Sequence, residues 1–361
     1  MLYKPDWDIV KKRLEALWHN EIIDRPPVSV PVCEKKDELN ELIKKQQDSS
    51  MEKYYYDVDY ILERNIFRME NTYFGSDAIP YLGAYWGSGG HAKYLGEPPC
   101  KLAGDTVWIG ADIDDYNSYS FEFSAANAHF NRESEIMGIL ARESKDKFLL
   151  GMPDNSGSVD ALSQLRGNEP LLMDLITNPG DVRMAVDKMT DMLITSSDIL
   201  FDKISCANDG GSAHWLNTWS PGKHMHLQCD FSVMISSEMF NDFVMPELEK
   251  TANWLDYSIY HLDGMEQIRH LDSILSIQKI NLFQWVTVEG QPPITEFIPQ
   301  LQKIQRAGKG LTLQLNKGQI DSVIPQLRPE GLLIIIGDAS DRKEADEIVE
   351  YITKFYATHT T

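Results

Sequence analysis

The chain has 361 residues, 42% hydrophobic and 25% charged, which is the composition of a folded globular protein long enough to bury a full core. Its formal net charge is -21, with acidic residues spread along the whole chain, and such a surface repels nucleic acid and anionic membranes at long range. The start, Met1-Leu2-Tyr3-Lys4-Pro5, has no charged segment followed by an apolar one. No apolar run approaches the roughly eighteen residues that span a bilayer, so a cytoplasmic protein acting on small molecules is expected.

In chain order, a helix is expected over 7–20 and a first strand over 27–32, where Val28, Val30 and Val32 alternate with small residues. A long stretch, 34–146, follows before the next clear strand and reads as N-terminal helices with a lid-like insertion. Its middle, 81–105, holds Tyr85, Trp86 and His91, and fits either a loop over a substrate site or a subdomain whose aromatics are only core. From 147 onward, short apolar runs alternate with helical patterns: strands over 147–153, 213–217, 224–229, 258–261, 280–285, 310–314 and 332–336, and helices over 169–177, 237–255, 266–276, 295–307 and 343–356. Strand-helix alternation implies parallel pairing, and about eight such units imply a closed barrel or a doubly wound sheet. No glycine-rich phosphate loop follows an early strand, which favours an α/β fold of the (β/α)8 TIM-barrel kind, one domain over 1–361. Such barrels place their chemistry at the carboxyl ends of the strands.

Those ends are rich in reactive groups. Tyr260-His261-Leu262-Asp263-Gly264 ends a strand on a histidine and a carboxylate two residues apart, so both side chains point to one face. This is how a metal ligand pair or an acid/base pair is built. Other strand-end candidates are Asp154, Trp215, Asn217, Cys229, Asp230, Gln284, Trp285, Gln314, Asn316 and Asp338. For any single one the plainer role is a cap or a loop residue, and Asp230 and Asp338 both read as helix-entry signals. His270 and Asp272 repeat the spacing on the following helix, where packing or surface roles are expected. His224 and His226 share a strand face, with Cys229 on the opposite parity. The four cysteines, Cys33, Cys100, Cys206 and Cys229, form no close pair, so reduced thiols are expected.

From 24 to 338 the sequence resembles the uroporphyrinogen decarboxylase superfamily, a (β/α)8 family that includes zinc-dependent methyltransferases working with corrinoid proteins. The methyltransferase branch carries a His-x-Cys-Gly zinc motif, and His261-Leu262-Asp263-Gly264 stands in its place. The segment from Asn316 to Asp321 is similar to a family turn, and Gly337-Asp338 stands where the branch closes its site with a cysteine. Both thiolate positions are thus aspartates here. That resemblance implies a metal, zinc or another divalent ion, held by His261, Asp263 and Asp338 with Cys229 or Glu289, and a corrinoid supplied by a partner protein. Trp86, Trp215, Tyr260 and Trp285 would wall the substrate, and Gln284 and Gln314 would orient it. The arginine-rich loop of the decarboxylases is missing after the first strand, where Cys33-Glu34-Lys35-Lys36 stands, so uroporphyrinogen is not the expected substrate. Two further readings stay open: a metal-free decarboxylase or lyase using Asp154 and Asp263 as paired acid and base, and a barrel that only binds.

Overall fold

The computed structural model describes residues 1–155 and 157–359. The fold is mixed α/β, with a parallel sheet and many helices. In chain order the strands are β1 (Val28–Cys33), β2 (Thr72–Ser76), β3 (Tyr81–Gly83), β4 (Cys100–Leu102), β5 (Val107–Ile109), β6 (Leu149–Gly151) and β7 (Ser212–His214). They continue with β8 (Thr218–Ser220), β9 (His224–Leu227), β10 (Tyr257–Asp263), β11 (Leu282–Val286), β12 (Gly310–Leu315) and β13 (Leu332–Ile336).

One sheet has the order β2-β1-β13-β12-β11-β10-β9, and every neighbour pair in it is parallel except β1 with β2. A second sheet runs β3-β6-β7-β8, parallel except for its last pair, and β4 with β5 makes a separate hairpin. The two sheets meet where β7 faces β9 through side chains: Ser212 Oγ lies 2.6 Å from His224 Nδ1, and His214 Nε2 lies 2.8 Å from His226 Nδ1. The three residues of β7 pair with β6 on one side and, after Asn217 turns the chain back in a left-handed conformation (φ 57°), with β8 on the other, so β9 is met by side chains. Strands β2 and β3 come from inside the stretch that the sequence suggested was an insertion.

Two packed layers hold the sheet. Parallel strands are buried on both faces, and β13 accordingly is wholly Leu and Ile, while β10, β11 and β12 interrupt their apolar residues with His261, Gln284, Thr312 and Gln314. One parity, including Tyr260, Leu262, Phe283, Trp285, Leu311, Leu313 and Ile334, packs against the helices. Ile259, Leu282 and Leu333, on the other parity, join Leu149 and Ala213 of the second sheet in a separate inner core. The helix Trp7–Trp18 closes that inner core from the amino ends of the strands. Its Val10, Leu14 and Leu17 recur at helical spacing, and the intervening Lys11, Lys12, Arg13 and Glu15 face outward or lie at the edge. Trp7 meets Trp219 edge-on at 5.6 Å, and Trp18 lies 5.2 Å from the His224 ring. With the amino ends sealed, the carboxyl ends are the open side.

The segment around 81–105 is packed down on the body. His91, Ala92, Lys93 and Tyr94 are buried, and the backbone N–H of Gly89 donates to the Asp154 carbonyl at 3.0 Å. Lys93 Nζ pairs with Glu133 at 2.8 Å in the interior and donates to the Trp86 carbonyl, while Tyr94 donates to the other Glu133 oxygen at 2.7 Å. A buried pair of this kind is costly to break from one side, by about 3–5 kcal/mol.

Candidate active site

Register places the polar groups together. His261 on β10 is directly opposite Gln284 on β11, which is opposite Thr312 on β12, and Gln314 is opposite Ile335 on β13. His226 and His261 come from the inner parity of adjacent strands, with ring centroids 6.1 Å apart. Trp215, thrown outward by the turn after β7, lies 5.8 Å from each of those rings.

Around His226 the hydrogen bonds define a proton network. Its Nδ1 faces His214 Nε2 at 2.8 Å and its Nε2 lies 3.0 Å from Gln228 Oε1, while Asp154 Oδ1, which makes no hydrogen bond, stands 3.1 Å from the same Nε2. Gln228 Nε2 in turn donates to Asp230 at 3.2 Å. The tautomers follow from counting. His214 Nδ1 is buried without a partner, which is cheaper for a lone pair than for an N–H. His214 therefore donates from Nε2 to His226 Nδ1, and His226 carries its proton on Nε2, facing Asp154 and Gln228. Burial, then the neighbouring histidines, hold the His214 pKa well below the ordinary range.

His261 is set separately. Its Nδ1–H donates to Gln284 Oε1 at 2.5 Å, so its lone pair is on Nε2. Burial, then His226, lowers its pKa, while Gln284, Asp263 and Asp154 act the other way. It is a neutral base held in one tautomer. Asp230 behaves oppositely: although the residue is exposed at the surface, the loss of water around its charge first, then the crowding charges of Asp160, Asp263 and Asp154, push its carboxyl up. One base and one reluctant carboxylic acid therefore stand in the same neighbourhood, which is the pattern for acid/base work near neutrality.

Two cavities open here. The larger, about 780 Å³, is lined among others by Ser29, Cys33, Arg68, Tyr81, Trp215, Gln284, Gln314 and Asp338. A second, about 460 Å³, is lined by Arg68, Tyr81, Gly83, Ala84, Tyr85, Met152, Asp154 and Trp215. They share Arg68, Tyr81 and Trp215. The Tyr81 ring lies across two glycines: a Cβ on Gly83 would stand 2.6 Å from its hydroxyl, and one on Gly151 only 2.0 Å from its ring.

Several expected residues lie elsewhere. Tyr260 is fully buried against the helices, its hydroxyl donating to Gln267 Oε1 at 3.4 Å, and Trp285 packs on Phe297 at 4.8 Å. Both are on the parity opposite to His261 and Gln284, so neither walls the site. Trp86 is in the core, its Nε1 donating to the Tyr55 carbonyl at 2.9 Å and its ring stacked on Tyr56. The proposed metal ligands do not converge either. Cys229 is wholly buried in the outer core, where burial and Asp160 push its thiol up, and Glu289 is exposed. Asp338 is exposed and accepts from the Lys317 N–H at 2.9 Å, tying down the turn after β12. Among the described residues, no three of His, Cys, Asp and Glu stand in an arrangement that could hold a metal ion. The donor set present does not fit the metal that the sequence motif implied.

His261, Asp263, Asp154, Trp215, Gln284 and Gln314 do lie at the strand ends. His270 is a packing residue, stacked on Phe240 at 4.2 Å, and Asp272 pairs with Lys303 on the surface. His214, Arg68 and Tyr81 were not anticipated. Only the inner parity of β7 and β9 hinted at His214.

A concave site with a few convergent polar groups at the carboxyl ends of parallel strands is where α/β proteins bind small molecules. Among solved structures, the chain matches a methyltransferase from Methanosarcina mazei, with a TM-score of 0.64, over 96% of this chain and 99% of that one. The two are 12% identical, so the likeness is one of fold. No protein-family model and no curated protein matches the sequence. Among the described residues, no helix is long and apolar enough to cross a membrane.

Proposed function

We propose that the chain is a methyltransferase-like enzyme of the uroporphyrinogen decarboxylase kind. In this reading its two sheets wrap as one (β/α)8-type barrel in the cytoplasm, and it moves a methyl group between a small molecule and a thiol or a corrinoid carried by a partner protein. The observation that carries this reading is the His226 cluster, in which Gln228 and His214 fix one imidazole, with Asp154 3.1 Å away and His261 beside it, behind the cavity wall that Asp154, Gln284 and Trp215 form. A methyl group leaves a heteroatom readily only if that atom gains a proton as the bond breaks, and an accepting thiol must lose one. Asp230 or His226 suits the first task, and the free Nε2 of His261 the second. Trp215 and Tyr81 would flank the substrate and Gln314 would orient it. The whole-chain likeness to a methyltransferase supports the reading.

The test is methyl transfer to free cob(I)alamin, followed by absorbance, from a panel of methylated amines, thiols and alcohols. Turnover that falls about 100-fold in Asp154→Asn and His261→Asn is the expected result. No turnover with any donor sinks the reading. A second reading, a decarboxylase or lyase, is favoured by the raised carboxyl of Asp230, which can deliver a proton to a carbanion centre. Release of carbon dioxide without methyl transfer would select it.

A further inference from the structure

The net charge is -21, and carboxylates crowd the strand ends, yet one guanidinium stands between the two cavities. Arg68 is in the last turn of the helix Val58–Glu70, just before β2, and its side chain reaches β3 at Tyr81. Its Nη2 donates to the Tyr81 carbonyl and, at 3.4 Å, to Asn65 Oδ1. Among the described residues no carboxylate forms an ion pair with it; Arg64, Arg142, Arg269, Arg306 and Arg328 share that lack, but Arg68 is the arginine that lines the two cavities. Burial pulls its pKa down, with only Tyr81 and Cys33 acting weakly the other way.

A cation withdrawn from water and left without a counter-charge is costly unless a partner arrives. Its remaining N–H groups adjoin cavities whose other shared walls are Trp215 and Tyr81, one aromatic side chain partly exposed and one seated on glycines. A planar fork of donors matches a carboxylate, two N–H groups to two oxygens. Beyond it the smaller cavity is mostly apolar, with Ala84 and Met152, and it reaches Asp154.

We propose that Arg68 is the anchor for a single carboxylate on the ligand, whose apolar body lies along Trp215 and Tyr81 and whose far end is presented to Asp154. The ligand class is therefore a small monocarboxylate with an apolar or aromatic body. A phosphate ester is the poorer match in the smaller cavity, where Asp154 opposes a second negative charge; in the larger one the exposed Asp338 and Lys36 offset each other. The inference rests on reading the strand ends as a small-molecule site, but not on methyl transfer.

Calorimetric titration of the full chain with acetate, butyrate, phenylacetate, phenylacetamide and phenyl phosphate tests it. Phenylacetate should bind, with phenylacetamide and phenyl phosphate each weaker by about tenfold or more, as expected when a hydrogen bond to a charged group is lost or a second charge is opposed. Arg68→Gln should weaken phenylacetate by about 10- to 100-fold, and Arg68→Lys, which keeps the charge but not the fork, by less. If Arg68→Gln does not fold, the Arg68→Lys variant and the acid-amide comparison on the unaltered protein decide the matter. The inference is overturned by equal binding of acid and amide, by tighter binding of phenyl phosphate, by an unchanged affinity in Arg68→Gln, or by no carboxylate binding below roughly 10 mM. A silent methyl-transfer assay beside intact, Arg68-dependent carboxylate binding would remove the proposed reaction and leave the anchor standing.

Discussion

Gln284 fixes which nitrogen of His261 is free. The two residues face each other across β10 and β11, and Gln284 Oε1 takes the Nδ1–H at 2.5 Å, leaving Nε2 with its lone pair. Replacing Gln284 by Leu removes the acceptor and frees the ring, and kcat/KM should fall about 10- to 100-fold with the fold retained. In Gln284→Glu the added carboxylate favours the imidazolium, so the acidic limb of the kcat/KM profile should move to higher pH. An acidic limb that stays in place would show that His261 is not the base.

Acid should destabilise the protein through its buried histidines. His91 has both ring nitrogens buried without partners, and His224 is fully enclosed. Burial drives both pKa values down to about 3 from an unfolded value of 6.5. The unfolded chain thus binds more protons between those values. The stability these residues give is complete above pH 6.5 and is lost as the pH falls toward 3, by up to about 1.4 kcal/mol per pH unit for each. His91→Leu should be within about 1 kcal/mol of the parent at pH 7 and more stable than it in acid, as read by urea unfolding at both pH values. Parallel curves for the two proteins would refute the assignment.

Two tryptophans should separate stability from binding. Trp215 is 42% exposed at the cavities, and Trp285 is 2% exposed against Phe297. Trp285→Ala should cost about 3–5 kcal/mol of unfolding free energy, the range for a large aromatic removed from a core. Trp215→Ala should cost under about 1 kcal/mol but weaken carboxylate binding several-fold. Denaturation and titration of the two variants check this, and a reversed pattern would mean that the site lies elsewhere.

Glu289 and Asp338 should be dispensable for the chemistry. Both are exposed, so Glu289→Ala and Asp338→Ala should leave kcat within about twofold, with Asp338→Ala losing only the tie to Lys317. Cys229→Ala should lower stability by about 1 kcal/mol without changing KM, because its thiol fills outer core. A large loss of turnover in any of the three would restore that residue to the reacting centre.

Much of this was legible in the sequence because period-two alternation is strict. His261 and Asp263 fall on one face of β10 as their spacing requires, and Cys229 falls opposite His226 for the same reason. The same parity, carried one step further, separates Tyr260 from His261 and Trp285 from Gln284. Arg68 and His214 were not legible. Arg68 reaches the cavities because its side chain, at the end of the helix Val58–Glu70, spans to Tyr81 of β3, and His214 meets His226 because β7 of one sheet faces β9 of the other. Such contacts are set by packing between elements distant in sequence, which leaves no local pattern. The insertion hid β2 and β3 because five and three residues are too few to show a period.

The seat of Tyr81 on Gly83 and Gly151 also constrains how this protein can diverge. A single methyl group at position 151 would need the space now taken by the ring, so the residue at 81 must shrink in the same lineage or the β3–β6 pairing must open. Relatives should therefore show positions 81 and 151 changing together, large with glycine or small with alanine. Where they have exchanged, the ligand beside Arg68 should have changed its width as well.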